Sequence, residues 1–267
     1  MLKIENLSFG YQSNKLILKN INTTIDTTKI TAIAGRNGSG KSTLTRLLMG
    51  LIHAQHGTIT LNNLDITNKK PYEMAQYISY VFQNPDQQLF ATTVFEEVAF
   101  ALKNLNYTTK SISQRVHEVL KLTDLDNLAQ EMPQLLSLGQ KQRLSIACAL
   151  ATNPQILILD EPTSGQDCQE RTILLRLMRK LNKQGLGIIM VTHDMDIIAE
   201  HADKVLVINN GELAFDGTTI DLFSNQELIS KLGLELPEAV YISKQLGLDI
   251  CLTPTQIYSH LAFNQNK

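Results

Sequence analysis

Several features that define other protein classes are scarce or missing in this sequence. The 267 residues include no tryptophan and only three cysteines, Cys148, Cys168 and Cys251, which are scattered along the chain. Their spacing matches neither a disulfide framework nor a zinc site, so we expect reduced thiols in an intracellular protein. No apolar run reaches the roughly 20 residues that span a membrane. Residues 1–6 lead directly into strand-like sequence, and we therefore expect no signal peptide.

An excess of charge of either sign is also missing. Basic and acidic side chains number 24 and 26, which gives a formal net charge of −2. This balance argues against bulk electrostatic binding to nucleic acid, although it is compatible with a local basic patch. With a hydrophobic content of 43%, the chain is long enough for one large domain or for one domain with an appendage.

A phosphate-loop motif lies at residues 35–42, Gly-Arg-Asn-Gly-Ser-Gly-Lys-Ser. It follows the β-prone segment 30–33 and precedes leucines at helical spacing over residues 44–51. In this context the backbone N–H groups bind a polyphosphate, Lys41 reaches its terminal phosphates and Ser42 ligates Mg²⁺. A Gly/Ser-rich turn that caps a helix is the alternative, and it leaves Lys41 unexplained. The predicted nucleotide-binding residues here are Gly35, Arg36, Asn37, Gly38, Ser39, Gly40, Lys41, Ser42 and Thr43.

An acidic pair, Asp160 and Glu161, follows the continuous apolar run 156–159. Such a run is typical of a strand that is buried on both faces of a parallel sheet. Carboxylates at the carboxyl end of such a strand lie where open α/β sheets bind their ligands. The pair therefore belongs to the same predicted site as the phosphate loop, and the alternative is an acidic helix cap.

Two further motifs complete an ordered series. The sequence Leu-Ser-Leu-Gly-Gln occupies residues 136–140, and His193 follows the β-type run 188–191. A lone histidine near a strand end is usually structural, but the order of the motifs argues otherwise. Phosphate loop, Gln83, residues 136–140, acidic pair, Ser-Gly-Gln-Asp at 164–167 and histidine follow one another as they do in ATP-binding cassette (ABC) ATPases, which this chain resembles.

The resemblance implies catalytic and metal-binding roles. Asp160 would hold Mg²⁺ together with Ser42 and Gln83, and Glu161 would orient or deprotonate the attacking water. His193 would contact the γ-phosphate and help to hold Glu161 and the water. The implied catalytic residues are Lys41, Gln83, Glu161 and His193.

The resemblance also implies contacts to the base and to a second subunit. Tyr11 matches the aromatic on which adenine stacks, with an ordinary half-buried strand aromatic as the alternative. ABC ATPases bind two ATP molecules between two subunits, so Ser137, Gly139 and Gln140 would contact the ATP of the partner subunit. Residues 164–167 match the D-loop, which crosses the dimer interface.

Residues 136–140 correspond to the signature motif of ABC ATPases. The sequence departs from that motif at Leu138, where the family usually has glycine. Two interpretations remain open: the side chain points away and the composite site works, or this half-site is weakened and the dimer is asymmetric. We favour the working site, because residues 141–143 continue the expected start of a helix. Gln166 is a smaller departure, since the family usually has leucine at that D-loop position.

The pattern of apolar residues predicts an α/β fold. The resemblance implies a P-loop NTPase (RecA-like) core with an antiparallel β subdomain, a helical subdomain and a C-terminal helical extension. Alternating patterns such as 2–7 and 57–61 suit the antiparallel sheet, and a hairpin is expected over residues 205–215. The predicted ABC nucleotide-binding domain covers residues 1–222, with the helical subdomain at about 90–150. The extension covers residues 223–267 and is expected to contact the other subunit of a dimer.

The segment at residues 81–100 resembles one particular group within the ABC ATPases. Its Gln-Asn-Pro-Asp-Gln-Gln sequence is similar to the glutamine-loop region of energy-coupling factor (ECF) transporter ATPases and of their cobalt and nickel relatives. Residues 232–240 look like the C-terminal extension of that group, with a generic helical appendage as the alternative.

The implied function is that of the ATP-binding and hydrolysing subunit of an ECF-type importer of vitamins or related micronutrients, with ATP and Mg²⁺ as cofactors. The implied partners are a second ABC ATPase that is a related paralogue, a transmembrane coupling protein and a substrate-binding membrane protein, without nucleic acid. This places the chain peripherally at the cytoplasmic face of the cell membrane. The alternatives are the ATPase of a cobalt/nickel or other ABC transporter and a non-transport ABC clamp protein.

Overall fold

A six-stranded, mostly parallel sheet forms the centre of the protein. The computed structural model describes residues 1–12 and 15–264. Strands β3, β6, β7, β8 and β9 run parallel to their neighbours, and β10 closes one edge as an antiparallel hairpin strand. In spatial order the strands are β10 (Glu212–Thr218), β9 (Lys204–Asn209), β3 (Ile30–Ala34), β8 (Gly187–Val191), β7 (Ile156–Asp160) and β6 (Ile78–Val81).

A second, antiparallel sheet of four strands packs beside the first. In spatial order it contains β2 (Leu18–Ile25), β1 (Leu2–Phe9), β4 (His56–Leu61) and β5 (Leu64–Asp65). Asp216 joins the two sheets, because its carboxylate accepts a hydrogen bond from Thr23 at 2.7 Å and pairs with Lys204 at 2.6 Å. The antiparallel subdomain is therefore fixed against the hairpin edge of the central sheet.

Helices cover the central sheet and build a separate helical layer. They are α1 (Lys41–Leu48), α2 (Pro71–Met74), α3 (Val94–Asn104), α4 (Thr109–Leu122), α5 (Leu138–Ala151), α6 (Cys168–Lys183), α7 (Met195–His201), α8 (Thr219–Ser224), α9 (Gln226–Leu232), α10 (Glu238–Gln245) and α11 (Pro254–Asn264). Short 3₁₀ turns occur at Pro85–Gln87, Asp126–Leu128 and Pro133–Leu135. No helix among the described residues is both long enough and apolar enough to cross a membrane.

The burial of the central strands explains their sequences. All five residues of β3 and all five of β8 are buried, as the continuous apolar runs predict for strands covered on both faces. Helices α3, α4 and α5 bury Val98, Val116 and Leu144 in one apolar cluster that continues to Leu157 of β7. The helical layer is thus anchored to the strand that carries the acidic pair.

The predicted α/β fold class is confirmed: the chain has a mostly parallel central sheet, an antiparallel subdomain, a helical layer and C-terminal helices. The expected helix after the phosphate loop is shorter than the leucine spacing indicated. It ends at Leu48, and Leu51 lies outside it with 54% of its surface exposed. Gly50 has a φ of 66°, which turns the chain away from the helix axis.

Helix α8 crosses the predicted boundary between residues 222 and 223. Its Leu222 and Phe223 are buried in the same cluster as Ala34 of β3 and Val205 of β9. The start of the C-terminal helices therefore contributes to the core beneath the central sheet. The division into 1–222 and 223–267 stays a prediction, and residues 265–267 of the predicted extension lie outside the described residues.

Candidate active site

The phosphate loop lies between β3 and α1, where its backbone is held in a shape that only glycine permits at the first position. Gly35 has a φ of 138°, and a Cβ there would lie 2.2 Å from the Ile208 carbonyl oxygen. Lys41 Nζ donates to the carbonyl oxygens of Gly35 at 2.7 Å and Arg36 at 3.1 Å. The loop therefore curves around the lysine ammonium group.

Helix α1 opens toward this loop without a side-chain cap. Its N-cap is Gly40, in the left-handed conformation with a φ of 116°. Because glycine supplies no capping oxygen, the N–H groups of the first turn are available to an anion, and the helix dipole adds a partial positive charge. This arrangement suits a phosphate group.

The acidic pair lies across the cleft from the phosphate loop. Asp160 ends β7, and Tyr80 of the neighbouring β6 donates its hydroxyl to Asp160 Oδ2 at 2.5 Å. Burial, and next the hydrogen bond to Asp160, raises the pKa of the Tyr80 phenol, so it remains a proton donor. Asp160 is therefore oriented by a residue that the sequence motifs do not identify.

Glu161 has an unusual backbone conformation. Its φ is 45°, which is uncommon for a residue with a side chain, and its N–H donates to the Val191 carbonyl at 2.8 Å. Strained conformations of this kind concentrate at functional sites. Glu161 Oε1 lies 2.7 Å from His193 Nδ1, and Thr192 Oγ1 donates to Oε2 at 3.4 Å. Glu161 is thus held by contacts with residues 191–193, at the end of β8.

One cleft of about 790 Å³ brings most of the predicted residues together. It is lined by Tyr11, Gln83, Asp160, Glu161 and His193, together with residues 35–38 and 40–43. Burial lowers the pKa of the Lys41 ammonium, while the charges of Glu161 and Asp160 act in the opposite direction. The cleft therefore presents a desolvated cation and backbone donors on one side and carboxylates on the other.

Ser39 is the exception among the predicted loop residues. It is buried and does not line the cleft. Its N–H donates to Arg36 O at 3.1 Å, and its carbonyl accepts from Gly211 N at 3.0 Å. Ser39 thus ties the phosphate loop to the β9–β10 turn from behind.

The predicted signature residues lie apart from this cleft. Ser137 is the N-cap of α5: its hydroxyl accepts from Gln140 N at 3.2 Å, while Gln140 Oε1 accepts from Ser137 N at 2.9 Å. This reciprocal capping box pairs backbone N–H groups at the start of the 14-residue helix with side-chain oxygens. Gly139 is buried beside Glu170, whose Oε2 would lie 2.2 Å from a Cβ on the glycine. Ser137, Gly139 and Gln140 do not line the cleft of their own chain, and their contact with the ATP of a partner subunit stays a prediction.

Leu138 lies toward the D-loop of its own chain. Its side chain is 42% exposed, and a Cβ on Gly165 would lie 3.6 Å from Leu138 Cδ2. In that loop Gln166 donates its amide to the Pro162 carbonyl at 3.2 Å. The two departures from the family pattern thus meet the same loop, Leu138 at Gly165 and Gln166 within it.

Several residues of the site were not anticipated from the sequence. Tyr80 lies behind the cleft, and only the pairing of β6 with β7 brings its hydroxyl to Asp160. The cleft is also lined by Ile17, Val191, Met195 and residues 233–235 of the C-terminal helical region. No phosphate-binding or catalytic motif marks these positions, because they reach the cleft through the packing of elements that are distant in sequence.

The oxygen-rich side of the cleft suits a hard cation. Ser42, Gln83 and Asp160 all line it and offer hydroxyl, amide and carboxylate oxygens. Among residues 1–12 and 15–264, no group of three or more His, Cys, Asp or Glu side chains forms a metal site. Mg²⁺ typically takes few protein ligands and completes its coordination with waters and substrate phosphates. The donor set therefore fits a magnesium–nucleotide complex.

The chain matches the family model described as ABC transporter over residues 18–164. It is 39% identical over 248 residues to a Pyrococcus furiosus protein provisionally designated an ABC transporter ATP-binding protein, which covers 93% of this chain and 94% of the relative. A Caldanaerobacter subterraneus protein with the same designation is 37% identical over 92% of this chain. This chain spans only 43% of that longer relative.

Solved structures show the same architecture. CbiO1 from Clostridium perfringens, described as part of the ABC transporter complex CbiONQ, is 35% identical with a TM-score of 0.79, and the match covers 92% of this chain and 98% of CbiO1. A dimeric ATP-binding cassette, MJ0796, described in a post-hydrolysis state with ADP and Pi, is 28% identical with a TM-score of 0.72. That match covers 82% of this chain and 99% of the cassette.

Fold and cleft together define a P-loop nucleotide hydrolase of the cassette type. The chain belongs to the ABC transporter family, as an ATP-binding subunit with ATPase activity. The resemblance to ABC ATPases that the motifs indicated is thereby confirmed.

We predict that Tyr80→Phe lowers the Mg²⁺-dependent ATPase rate roughly tenfold, because partners that orient a metal-binding group typically contribute at least that much. The measurement is the ATPase rate of the purified chain as a function of Mg²⁺ concentration, with the half-maximal concentration expected to rise. Tyr77→Phe is the matched control, since Tyr77 precedes the same strand and its ring lies under Lys69 and not beside Asp160. An unchanged Mg²⁺ dependence for Tyr80→Phe contradicts the prediction.

We predict that Leu138→Gly leaves the ATPase rate of the assembled dimer unchanged, because the leucine lies toward its own D-loop. Leu135→Gly, at a 73% exposed position just before α5, controls for the added backbone freedom. A faster rate for Leu138→Gly alone would show that the leucine weakens the half-site.

Proposed function

We propose that this chain is the ATP-binding and hydrolysing subunit of an ECF-type importer, which couples ATP hydrolysis to the uptake of vitamins or related micronutrients. The observation that carries the proposal is the structure of residues 81–100. This segment resembles the glutamine loop of ECF ATPases, and it connects the nucleotide cleft, the signature helix and an exposed aromatic face. The likeness to CbiO1 supports the same assignment.

The first connection runs from the cleft to α5, which begins within the signature motif and which we call the signature helix. Gln83 lines the cleft, and the 3₁₀ turn Pro85–Gln87 follows it directly. Asn84 caps that turn by accepting from Asp86 N at 3.0 Å, and the Asp86 carboxylate pairs with Lys141 Nζ of α5 at 2.8 Å. A movement of Gln83 is therefore transmitted to the helix that carries Ser137.

The second connection runs to the surface. The buried carboxylate of Glu97 accepts from Phe90 N at 2.7 Å and Ala91 N at 2.6 Å. It holds Phe90 beside Phe100 of α3, with the rings 4.9 Å apart in an edge-to-face arrangement. We call these two side chains, which are 62% and 48% exposed, the aromatic face. Exposed aromatic pairs are typical of contact sites for partner proteins, and we assign this one to a helix of the transmembrane coupling protein.

In the cleft, Lys41 and the first turn of α1 bind the terminal phosphates of ATP. Ser42, Gln83 and Asp160 are the residues that would hold Mg²⁺, which neutralises charge on the phosphates when bound. Glu161 orients the attacking water and accepts its proton, and His193 holds Glu161 in position through the 2.7 Å contact. Tyr11, held by a 3.2 Å hydrogen bond from Arg46 Nη1, offers its ring to the adenine.

The second subunit completes each site. Ser137, Gly139 and Gln140 meet the ATP bound to the partner, a related ABC ATPase, and residues 223–267 contribute to the contact between the subunits. ATP binds the closed dimer better than the open one, so the nucleotide state sets the conformation that the membrane proteins receive. The chain thereby acts peripherally at the cytoplasmic face of the membrane.

A second candidate is the ATPase of a cobalt or nickel importer. The observation that favours it is again the segment 81–100, because its sequence is shared between ECF ATPases and their cobalt and nickel relatives. The two candidates differ in the membrane protein that binds the cargo, and both use the aromatic face.

We predict that Glu161→Gln abolishes most turnover and traps a dimer with bound ATP, because the amide cannot accept a proton from the attacking water. The measurements are phosphate release and size-exclusion chromatography in the presence of ATP. Glu227→Gln, on the exposed side of α9, is the control for the loss of one negative charge. Phosphate release at the wild-type rate would refute the role of Glu161.

We predict that tagged wild-type chain, purified from detergent-solubilised native membranes, brings down a second ABC ATPase, a multi-spanning protein and a small membrane protein that binds the cargo. Replacing both Phe90 and Phe100 with Ser removes the aromatic face, so the membrane proteins should be lost while the second ATPase remains. Tyr72→Ser is the control, because Tyr72 is 66% exposed elsewhere on the surface.

The identity of the small membrane protein distinguishes vitamin from metal import. If the wild-type chain brings down only soluble proteins, the transport assignment fails and a clamp function takes its place.

A further inference from the structure

The C-terminal helices pack beneath the strand that leads into the phosphate loop. Ala32 and Ala34 of β3 share a buried cluster with Phe223, Leu232 and Val240. Small alanine side chains on this face of β3 leave room for the larger side chains of helices α8, α9 and α10. The C-terminal region is thereby fixed to the same strand that positions Gly35.

The loop after α9 then reaches the phosphate loop itself. Helix α9 ends at Gly233, which has a left-handed backbone with a φ of 62°. A Cβ at Gly233 would lie 1.8 Å from Arg36 Nη2, 2.6 Å from Cζ and 2.7 Å from Nε. The exposed guanidinium group of Arg36 thus lies directly over the glycine, and a side chain at position 233 would displace it. Residues 233–235 are also part of the wall of the cleft.

The same loop contacts the element that follows His193 as well. Glu238 N, at the start of α10, donates to Asp196 Oδ1 of α7 at 2.8 Å. Met195, the first residue of α7, lines the cleft and belongs to the cluster beneath β3. Residues 233–238 therefore touch both the phosphate loop and the helix that begins just after the histidine.

We propose that residues 233–235 are a functional part of the nucleotide site. Gly233 leaves free the space that the Arg36 guanidinium occupies, and it thereby positions the phosphate loop. Gly233 is a positioning residue: it acts on the bound phosphates through Arg36 and the backbone of residues 35–37. The inference rests on nucleotide binding in this cleft and is independent of the transported cargo and of the membrane partners.

A coupling follows from this contact. If the contact between Arg36 and Gly233 sets the affinity for nucleotide, then bound nucleotide must in turn stabilise the placement of residues 233–235. This follows because the coupling free energy between two sites is reciprocal. The C-terminal helices α10 and α11 continue from this loop, so the nucleotide state reaches the predicted dimer contact by a route separate from the signature helix.

The test is a double-mutant cycle on the purified full chain, with Mg-ADP as the probe and isothermal titration calorimetry as the measurement. Gly233→Ala should raise the Kd for Mg-ADP about tenfold, because the new Cβ displaces the Arg36 guanidinium from its position over residue 233. Arg36→Ala should weaken binding by itself, and adding Gly233→Ala to it should cause no further loss, because the clash partner is gone.

Gly247→Ala is the matched control. Gly247 follows α10 with nearly the same left-handed backbone, a φ of 67°, and a Cβ there would meet no atom within 4 Å. It reproduces the backbone strain without the clash, so its Kd should equal that of the wild type. The proposal is overturned if the Gly233 and Gly247 variants bind Mg-ADP equally well, or if Gly233→Ala weakens binding as much in the Arg36→Ala background as it does with the arginine in place.

Hydrogen exchange on the unmodified chain provides a second measurement that does not depend on the folding of any variant. Saturating Mg-ADP should slow the exchange of the peptide that covers residues 229–236. Exchange at the same rate with and without Mg-ADP in the wild type would also overturn the proposal.

Discussion

The rest of the site depends on the electrostatic interactions of the Lys41 ammonium group, which lies at the carboxyl edge of the parallel sheet. Burial disfavours its charge, and Asp160 and Glu161 across the cleft favour it. A cation in that position stabilises the two carboxylates and closes the phosphate loop around itself through the Gly35 and Arg36 carbonyls. A polyphosphate satisfies the same cation better than two loop carbonyls do, because its oxygens carry full negative charge. The site is thus electrostatically organised before nucleotide arrives.

Contacts from this centre extend to two other segments of the chain. Residues 81–100 link the cleft to the signature helix through Asp86 and Lys141, and to the aromatic face through the buried Glu97. Residues 233–238 link the phosphate loop to α7 and to the C-terminal helices. Both segments are short and are fixed at each end by hydrogen bonds or packing. In the proposed transport cycle, a change at the phosphates therefore reaches both the membrane partner and the dimer contact.

Much of the core and of the site is predictable where local chemistry is decisive. The runs at 156–159 and 188–191 form buried strands, because short uninterrupted apolar sequence suits a strand that is covered on both faces of a parallel sheet. The phosphate loop has the expected strand–loop–helix context, and Tyr11, Gln83, Asp160, Glu161 and His193 line its cleft. Sequence spacing was less informative at Leu51, since a left-handed Gly50 ends the helical turn before it.

Residue type and the order of short motifs are enough to predict which side chains would bind phosphate, hold a cation and activate water. The three-dimensional packing was needed to show that Tyr80 orients Asp160, that Ser39 faces away from the cleft, and that Gly233 lies under Arg36. Each of these contacts depends on strand register or on the packing of segments that are far apart in the chain. Such contacts leave no local pattern, because the residues that make them meet only when the whole core is assembled.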